Sequence, residues 1–180
     1  KNIVDVTHEY VKTFSINTKL DENPEEHEFA YLCVWNQKQW KPIDYGIINR
    51  NDSISFHNVG GDNVYLICYY INGLLKPSGH PFILNNKGVK IDLNYNSSNN
   101  NNTIRLTKIA GLNEIAPGGN YLLKTYKDGN WQEIEPLVPI DNYLYLKKMK
   151  EKTLYLIDNM VQPGKQSRPF TIQNDTCVIW

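Results

Sequence analysis

The sequence states one pattern twice, and this limits the fold more than any single motif. The segment Tyr31-Leu-Cys-Val-Trp-Asn-Gln-Lys-Gln-Trp-Lys-Pro-Ile43 returns as Leu122-Leu-Lys-Thr-Tyr-Lys-Asp-Gly-Asn-Trp-Gln-Glu-Ile134, Val64-Tyr-Leu-Ile67 returns as Leu154-Tyr-Leu-Ile157, and Pro81-Phe82 returns as Pro169-Phe170. The offsets are 91 for Trp40 and Trp131, 90 for the tetrapeptides and 88 for the Pro-Phe pairs. Landmarks that keep both order and spacing mark a tandem duplication of a unit of about 90 residues. A residue type kept in both copies most simply serves the shared fold. What differs between the copies is where a special role can lie.

Each unit reads as strands. Short runs of β-branched and aromatic residues, broken by Asn, Gly, Asp and Pro every ~8–12 residues, are the pattern of a β-sandwich. The expected strands of the first unit lie near 10–19, 29–36, 40–45, 53–57, 63–71, 74–77 and 81–84. In the second they lie near 103–109, 120–126, 131–135, 143–147, 153–159 and 168–172, with a last one at 176–180. Asn72-Gly73 and Asp128-Gly129 supply the positive φ angles of tight hairpin turns. The expected architecture is all-β, with two tandem immunoglobulin-like sandwiches preferred over jelly-roll-like ones. The Cys-Trp-Cys spacing of antibody domains is absent. The expected boundaries are 1–95 for the first sandwich, 96–102 for an Asn-rich linker and 103–180 for the second sandwich, because the run around Asn96-Ser-Ser-Asn-Asn-Asn-Asn102 has nothing to bury.

Charge and cysteine content narrow the partners. Lys+Arg and Asp+Glu both total 19, without a basic stripe, so nucleic acid is not an expected partner. The longest apolar stretches, such as Val64 to Ile71, fall far short of the ~20 residues of a membrane span. Cys33, Cys68 and Cys177 are too few for a disulfide scaffold and too scattered for zinc. Cys33 and Cys68 could pair, but their repeat counterparts are Lys124 and Asp158, so no bridge is common to both units. Histidines 8, 27, 57 and 80 have no metal spacing, and neither a metal nor another cofactor is expected. Asp21, Glu22, Glu25, Glu26 and Glu28 read as a solvated acidic loop. Four N-glycosylation-type triplets, at Asn51, Asn96, Asn101 and Asn174, carry little weight in so Asn-rich a chain.

Candidate functional residues come from alternation along the strands. Ala30, Leu32 and Val34 share one face of their strand, and Tyr31, Cys33 and Trp35 share the other. Cys33 becomes Lys124 in the second copy, and a lysine is rarely buried without a partner, so the Tyr31/Trp35 face is expected to point outward. Trp40 with Trp131, Tyr65 with Tyr155 and Phe82 with Phe170 read as architecture, and Pro81 and Pro169 as strand starts or edges. Tyr69 and Tyr70 occur in the first copy only, beside a polar loop. The expected binding residues are therefore Tyr31, Trp35, Tyr69 and Tyr70. A catalytic set of Cys33 or Cys68 with His57 and Asp44 has no local signature in its favour, and no enzymatic activity is expected.

The strings Asp5-Val-Thr-His-Glu-Tyr10, Ala30-Tyr-Leu-Cys-Val34, Trp40-Lys-Pro-Ile43, Phe56-His-Asn-Val-Gly60, Val64-Tyr-Leu66 and Tyr69-Tyr-Ile-Asn-Gly73, with Pro77 and Pro81-Phe82, carry a resemblance. Residues 3–106 resemble the β-sandwich region that follows the transglutaminase-like, papain-fold domain in secreted proteins of gut-type anaerobic bacteria. Residues 107–180 share it only through the internal repeat. In that family the Cys-His-Asp chemistry belongs to the upstream domain, and no residue here matches its catalytic motif. The resemblance implies an accessory region of a larger exported protein, in the periplasm or at the cell surface, whose partners are other domains of the parent chain or another protein. A start at Lys1 is in keeping with a preceding signal sequence or domain. The alternative expectation is a carbohydrate-binding module that uses exposed aromatics of the first unit.

Overall fold

The computed structural model describes residues 2–3, 12–20, 27–36, 38–95 and 103–180. The chain is all-β and separates into two compact units, His8–Leu93 and Lys1–Thr7 with Asn94–Trp180. Strands are numbered along the chain. The first, β1 (Asn2–Ile3), belongs with the second unit.

The first unit contains β2 (Thr13–Lys19), β3 (Phe29–Asn36), β4 (Gln39–Ile47), β5 (Ser53–Gly60), β6 (Tyr65–Ile71), β7 (Leu74–Leu84) and β8 (Lys90–Asp92). Its large sheet has the order β4-β3-β6-β7-β8, and β2 pairs with β5 in a second sheet. Ile16, Ile54, Phe56 and Val59 of the small sheet meet Ala30, Leu32, Tyr65, Ile67, Tyr69, Phe82 and Leu84 of the large one in one apolar core. The two sheets thus form a sandwich, and the inner face of β3 is the one that alternation assigns. Gly46 stands opposite Ala30 on this inner face. A Cβ there would lie 2.6 Å from Ile54 Cγ1, so the edge strand β4 reaches Ile54 only without a side chain.

The second unit repeats this plan with β9 (Ile104–Leu106), β10 (Lys108–Ile109), β11 (Asn113–Glu114), β12 (Tyr121–Lys127), β13 (Asn130–Leu137), β14 (Leu144–Leu146), β15 (Tyr155–Asn159), β16 (Phe170–Gln173) and β17 (Thr176–Ile179). Its large sheet, β13-β12-β15-β16-β17, matches the order of the first, and β9 with β14 stands where β2 stands with β5. Here β1 adds a third strand, parallel to β9, through Asn2↔Arg105 and Ile3↔Leu106.

The repeat extends to the level of register. The Asn72-Gly73 and Asp128-Gly129 turns have φ of 52° and 76°, and 52° and 82°, the double left-handed conformation that two-residue hairpins require. The register between β3 and β4 slips between Leu32 and Cys33, and that between β12 and β13 slips between Leu123 and Lys124. Ile43 and Ile134 are the skipped residues, and both are exposed. Tyr65 packs tilted against Phe82 at 5.7 Å and 32°, and Tyr155 against Phe170 at 5.9 Å and 31°. The Tyr65 hydroxyl donates to the Gly60 carbonyl at 2.8 Å, whereas the Tyr155 hydroxyl accepts from the Lys150 amide at 2.8 Å. Each bond reaches back five residues from the start of its strand, pinning the turn between the two sheets.

Three expectations are corrected. The boundary at 95 moves to Leu93/Asn94, because the Asn94 amide donates to the Lys152 carbonyl at 2.8 Å and its own carbonyl accepts from Thr153 Oγ1 at 3.1 Å. Asn2 and Ile3, expected in the first sandwich, belong instead with the second, where they pair with Arg105 and Leu106. The expected strands 74–77 and 81–84 are one strand, β7, in which Pro81 lies within a register slip opposite Tyr65–Ile67 and not at a strand start. Pro169 directly precedes β16, as a strand-start proline should. The linker assigned to 96–102 and the acidic residues 21–26 lie outside the described residues.

Candidate functional site

The outer face of the first large sheet carries the candidate site. Register places Phe29 opposite Ile47 and Tyr31 opposite Tyr45, and brings Tyr70 beside them from β6. The rings touch in sequence. Phe29 meets Tyr45 at 6.0 Å and 71°, Tyr45 meets Tyr31 at 6.5 Å and 48°, and Tyr31 meets Tyr70 at 4.9 Å and 84°. Phe29, Tyr45 and Tyr70 stay 45%, 62% and 46% exposed, so the rings support one another without being covered. Exposed Ile47, opposite Phe29, extends the apolar surface.

Among the described residues the second unit has no such ring cluster. The same register positions hold Asn120 for Phe29, Leu122 for Tyr31, Pro136 for Tyr45 and Met160 for Tyr70. None of these four positions is aromatic in the second unit; the aromatic pair on that face, Tyr126 and Trp131, lies further along the hairpin.

Two of the four expected binding residues sit in the cluster, and two do not. Tyr31 and Tyr70 lie in it. Tyr69 is corrected: alternation along β6 turns it into the core, where it is 2% exposed and stacks on His27 at 4.8 Å and 19°. Trp35 lies on the outer face as expected, half-buried, but four residues along β3 from Tyr31, about 13 Å at strand spacing. It packs edge-on against Trp40 at 5.3 Å and 68°, and Tyr126 packs the same way against Trp131 at 5.4 Å and 77°. This cross-strand pair recurs in both copies and closes a hairpin in each. Trp35 therefore groups with the shared architecture. Phe29 and Tyr45 are not singled out by the sequence pattern, although Tyr45 faces Pro136 in the repeat alignment and is therefore an aromatic of one copy only.

Between Tyr31 and Trp35 lies a second position where the copies differ. Cys33 and Cys68 sit diagonally on neighbouring strands, each a free thiol and almost wholly buried. A hydrogen bond with Cys33, together with burial, pushes the Cys68 thiol far up. Diagonal neighbours on a sheet stand about 7 Å apart at Cβ, whereas a disulfide needs about 3.8 Å, which accounts for two thiols here and no bridge. The equivalent residues Lys124 and Asp158 form an ion pair of 2.6 Å, with 26% and 20% of their side-chain surfaces exposed. Removing one partner leaves a half-buried charge. Lys124→Ala is expected to lower stability by about 1–2 kcal/mol, less than the ~3–5 of a fully buried pair. Urea unfolding at low and high salt checks this, since a pair so placed should lose little of its effect in salt.

The catalytic set considered from sequence is not assembled. Cys33 and Cys68 lie on the outer face of the large sheet, whereas His57 is exposed on β5 of the other sheet, 3.0 Å from Ser15 Oγ through Nδ1. Asp44 is exposed and accepts the Tyr45 amide at 2.8 Å. Among the described residues no three His, Cys, Asp or Glu side chains gather in a way that could hold a metal ion.

Burial also sets a pH dependence. It pushes the Tyr155 phenol from 10.0 up to about 12 and the Cys177 thiol from 9.0 up to about 12. The folded second unit holds these protons where the unfolded chain releases them. Their contribution to stability is therefore complete below about pH 9 and lost as pH rises toward about 12. Urea midpoints at about pH 8 and about pH 11 are expected to fall in that order, and Tyr155→Phe should lessen the fall.

Fold and site together describe a duplicated β-sandwich protein with an exposed aromatic cluster on the outer face of its first unit. No protein-family model matches the chain, and no curated protein matches it.

Proposed function

We propose that the chain is a non-catalytic interaction region of a larger exported bacterial protein, and that the Phe29/Tyr31/Tyr45/Tyr70 face of its first unit holds another domain of the parent chain or a separate protein. One observation carries this reading: register-equivalent positions are aromatic and exposed in one copy and not in the other. Duplicated features serve the common fold, so an exposed ring cluster kept by one copy alone is the best candidate for contact. Aromatic rings offer large contact area with few rotatable bonds, which suits them to interfaces.

The order β4-β3-β6-β7 facing β2-β5, with a tyrosine at the start of β6 bonded back to the preceding turn, supports an immunoglobulin-like form for the first unit. Export, and association with a transglutaminase-like domain, rest on the sequence resemblance. The ring geometry favours protein over sugar as the partner. Interplanar angles of 48°, 71° and 84° give a folded, irregular surface, whereas stacking on a sugar asks for a flat platform.

A photo-crosslinking residue placed at Tyr45, and separately at its counterpart Pro136, tests the reading in the full-length protein from its native host. Adducts from position 45 that map to one segment of a partner are expected, with few from 136. Equal capture at both positions would remove the basis for the proposal, and glycan binding that depends on Tyr45 would replace it with the carbohydrate-binding alternative.

A further inference from the structure

We propose that the Phe29/Tyr31/Tyr45/Tyr70 face receives an uncharged, proline-rich segment of a partner protein, bound in the extended polyproline II form. This rests on the reading of the face as a contact surface and names the chemistry of what it contacts. Charge is the first ground. Ile47, Phe29, Tyr31, Tyr45, Tyr70 and Leu75, which lies opposite Tyr70, share the outer face, and none is charged. The charged residues of the flanking strands alternate to the other face, Asp44 opposite Leu32 and Lys76 opposite Tyr69. A charged ligand would lose water here without meeting a counter-charge, whereas an uncharged one avoids that cost.

Donor capacity is the second ground. The Tyr31, Tyr45 and Tyr70 hydroxyls make no hydrogen bond among the described residues. The buried tyrosines differ, since the Tyr65, Tyr121 and Tyr155 hydroxyls are all bonded to backbone groups. A polyproline II chain has no internal hydrogen bonds, so its carbonyls stand outward as acceptors, and its prolines bring no N–H that needs a partner. Phenol hydroxyls on an open face are suited to such a chain.

Ring geometry is the third ground. Tyr31 meets Tyr70 at 84° and Phe29 meets Tyr45 at 71°, so in each pair a ring edge abuts a ring face and leaves a notch. Tyr45 and Tyr70 stand on β4 and β6, the two strands that flank β3. Strands so placed lie two spacings apart, about 9.5 Å. One polyproline II turn of three residues rises about 9.3 Å. A chain crossing the strands therefore sets prolines i and i+3 against Tyr45 and Tyr70 in turn, which is recognition of a preformed proline helix by an aromatic-lined surface.

The whole 180-residue chain, labelled with ¹⁵N, would be titrated with capped peptides of equal length: polyproline, alternating glycine-serine and alternating valine-threonine. Amide shifts are expected around Tyr31, Tyr45 and Tyr70, with polyproline bound about tenfold or more tightly than either control. Tyr31→Phe/Tyr70→Phe keeps the rings and removes two donors, and should weaken polyproline binding about tenfold. No binding of polyproline, equal or tighter binding of a control peptide, or unchanged affinity in the double variant would each overturn the proposal. The contact face itself is tested separately. Capture from position 45 and not from 136, by a partner segment without prolines, would overturn proline recognition and leave the face standing, whereas equal capture from both positions would remove both.

Discussion

Alanine in place of Phe82 is expected to lower the stability of the first unit by about 3–5 kcal/mol, and Phe170→Ala to do the same in the second. Both side chains are almost fully buried, at 1% and 0% exposure, and each lies against the tyrosine that ties its strand to the preceding turn. Truncation therefore removes apolar burial and leaves a cavity under a ring that the surrounding backbone holds in place. Conservative Phe→Leu changes at the two positions should cost less, about 1–2 kcal/mol, because most of the volume is kept. Chemical unfolding of each variant measures the effect. Similar losses in the two units are what a shared architecture requires, whereas a large loss in one unit and little in the other would mean that the repeat had diverged in its core.

The paired substitution Tyr45→Ala/Tyr70→Ala is expected to do the opposite. Both rings are about half exposed or more. Their loss should move the unfolding midpoint little, by about 0.5 kcal/mol or less. Binding to the partner captured through position 45 should weaken by about 100-fold or more, since clustered aromatic anchors dominate contact energies. The control is Pro136→Ala/Met160→Ala at the matching positions of the second unit, for which no loss of binding is expected. Titration calorimetry with the purified partner separates the two variants.

Much of this fold is legible in the sequence because the repeat acts as an internal alignment. Strand β3 covers its expected span, 29–36, and the inner face of Ala30, Leu32 and Val34 follows from alternation together with the Cys33-to-Lys124 exchange. The hairpin turns follow from Asn-Gly and Asp-Gly, whose backbone angles leave little choice. The rest depends on contacts that no local pattern encodes. Strand β1 is two residues long and pairs with residues far along the chain, so neither periodicity nor composition marks it. Strand β8 is similarly short, and it is fixed by pairing to β7 and not by its own alternation.

The candidate site is half legible for a related reason. Tyr31 and Tyr70 stand out as aromatics of the first copy, but Tyr69 has the same β-propensity and the same neighbours as Tyr70. Only the register of β6 on β3 decides which of the two faces the core. Tyr45 reaches the cluster because the bulge at Ile43 shifts β4 by one residue. Without that slip its side chain would point to the other face, and a bulge is hard to read from one strand alone. Trp35 misleads because a half-buried tryptophan on an outer face looks like a contact residue until its partner Trp40 and the matching Tyr126–Trp131 pair are seen together.

The central claim is that the two copies share their architecture and that contact is made by the aromatic face which only the first possesses. Hydroxyl-radical footprinting of the full-length protein in its native setting, compared with the isolated 180-residue chain, addresses this before any partner has been identified. Oxidation of Tyr45 and Tyr70 is expected to drop about tenfold or more in the native setting while Met160, the counterpart of Tyr70, reacts equally in both. Full reactivity of Tyr45 and Tyr70 in the native setting, or equal protection of Met160, would contradict the account.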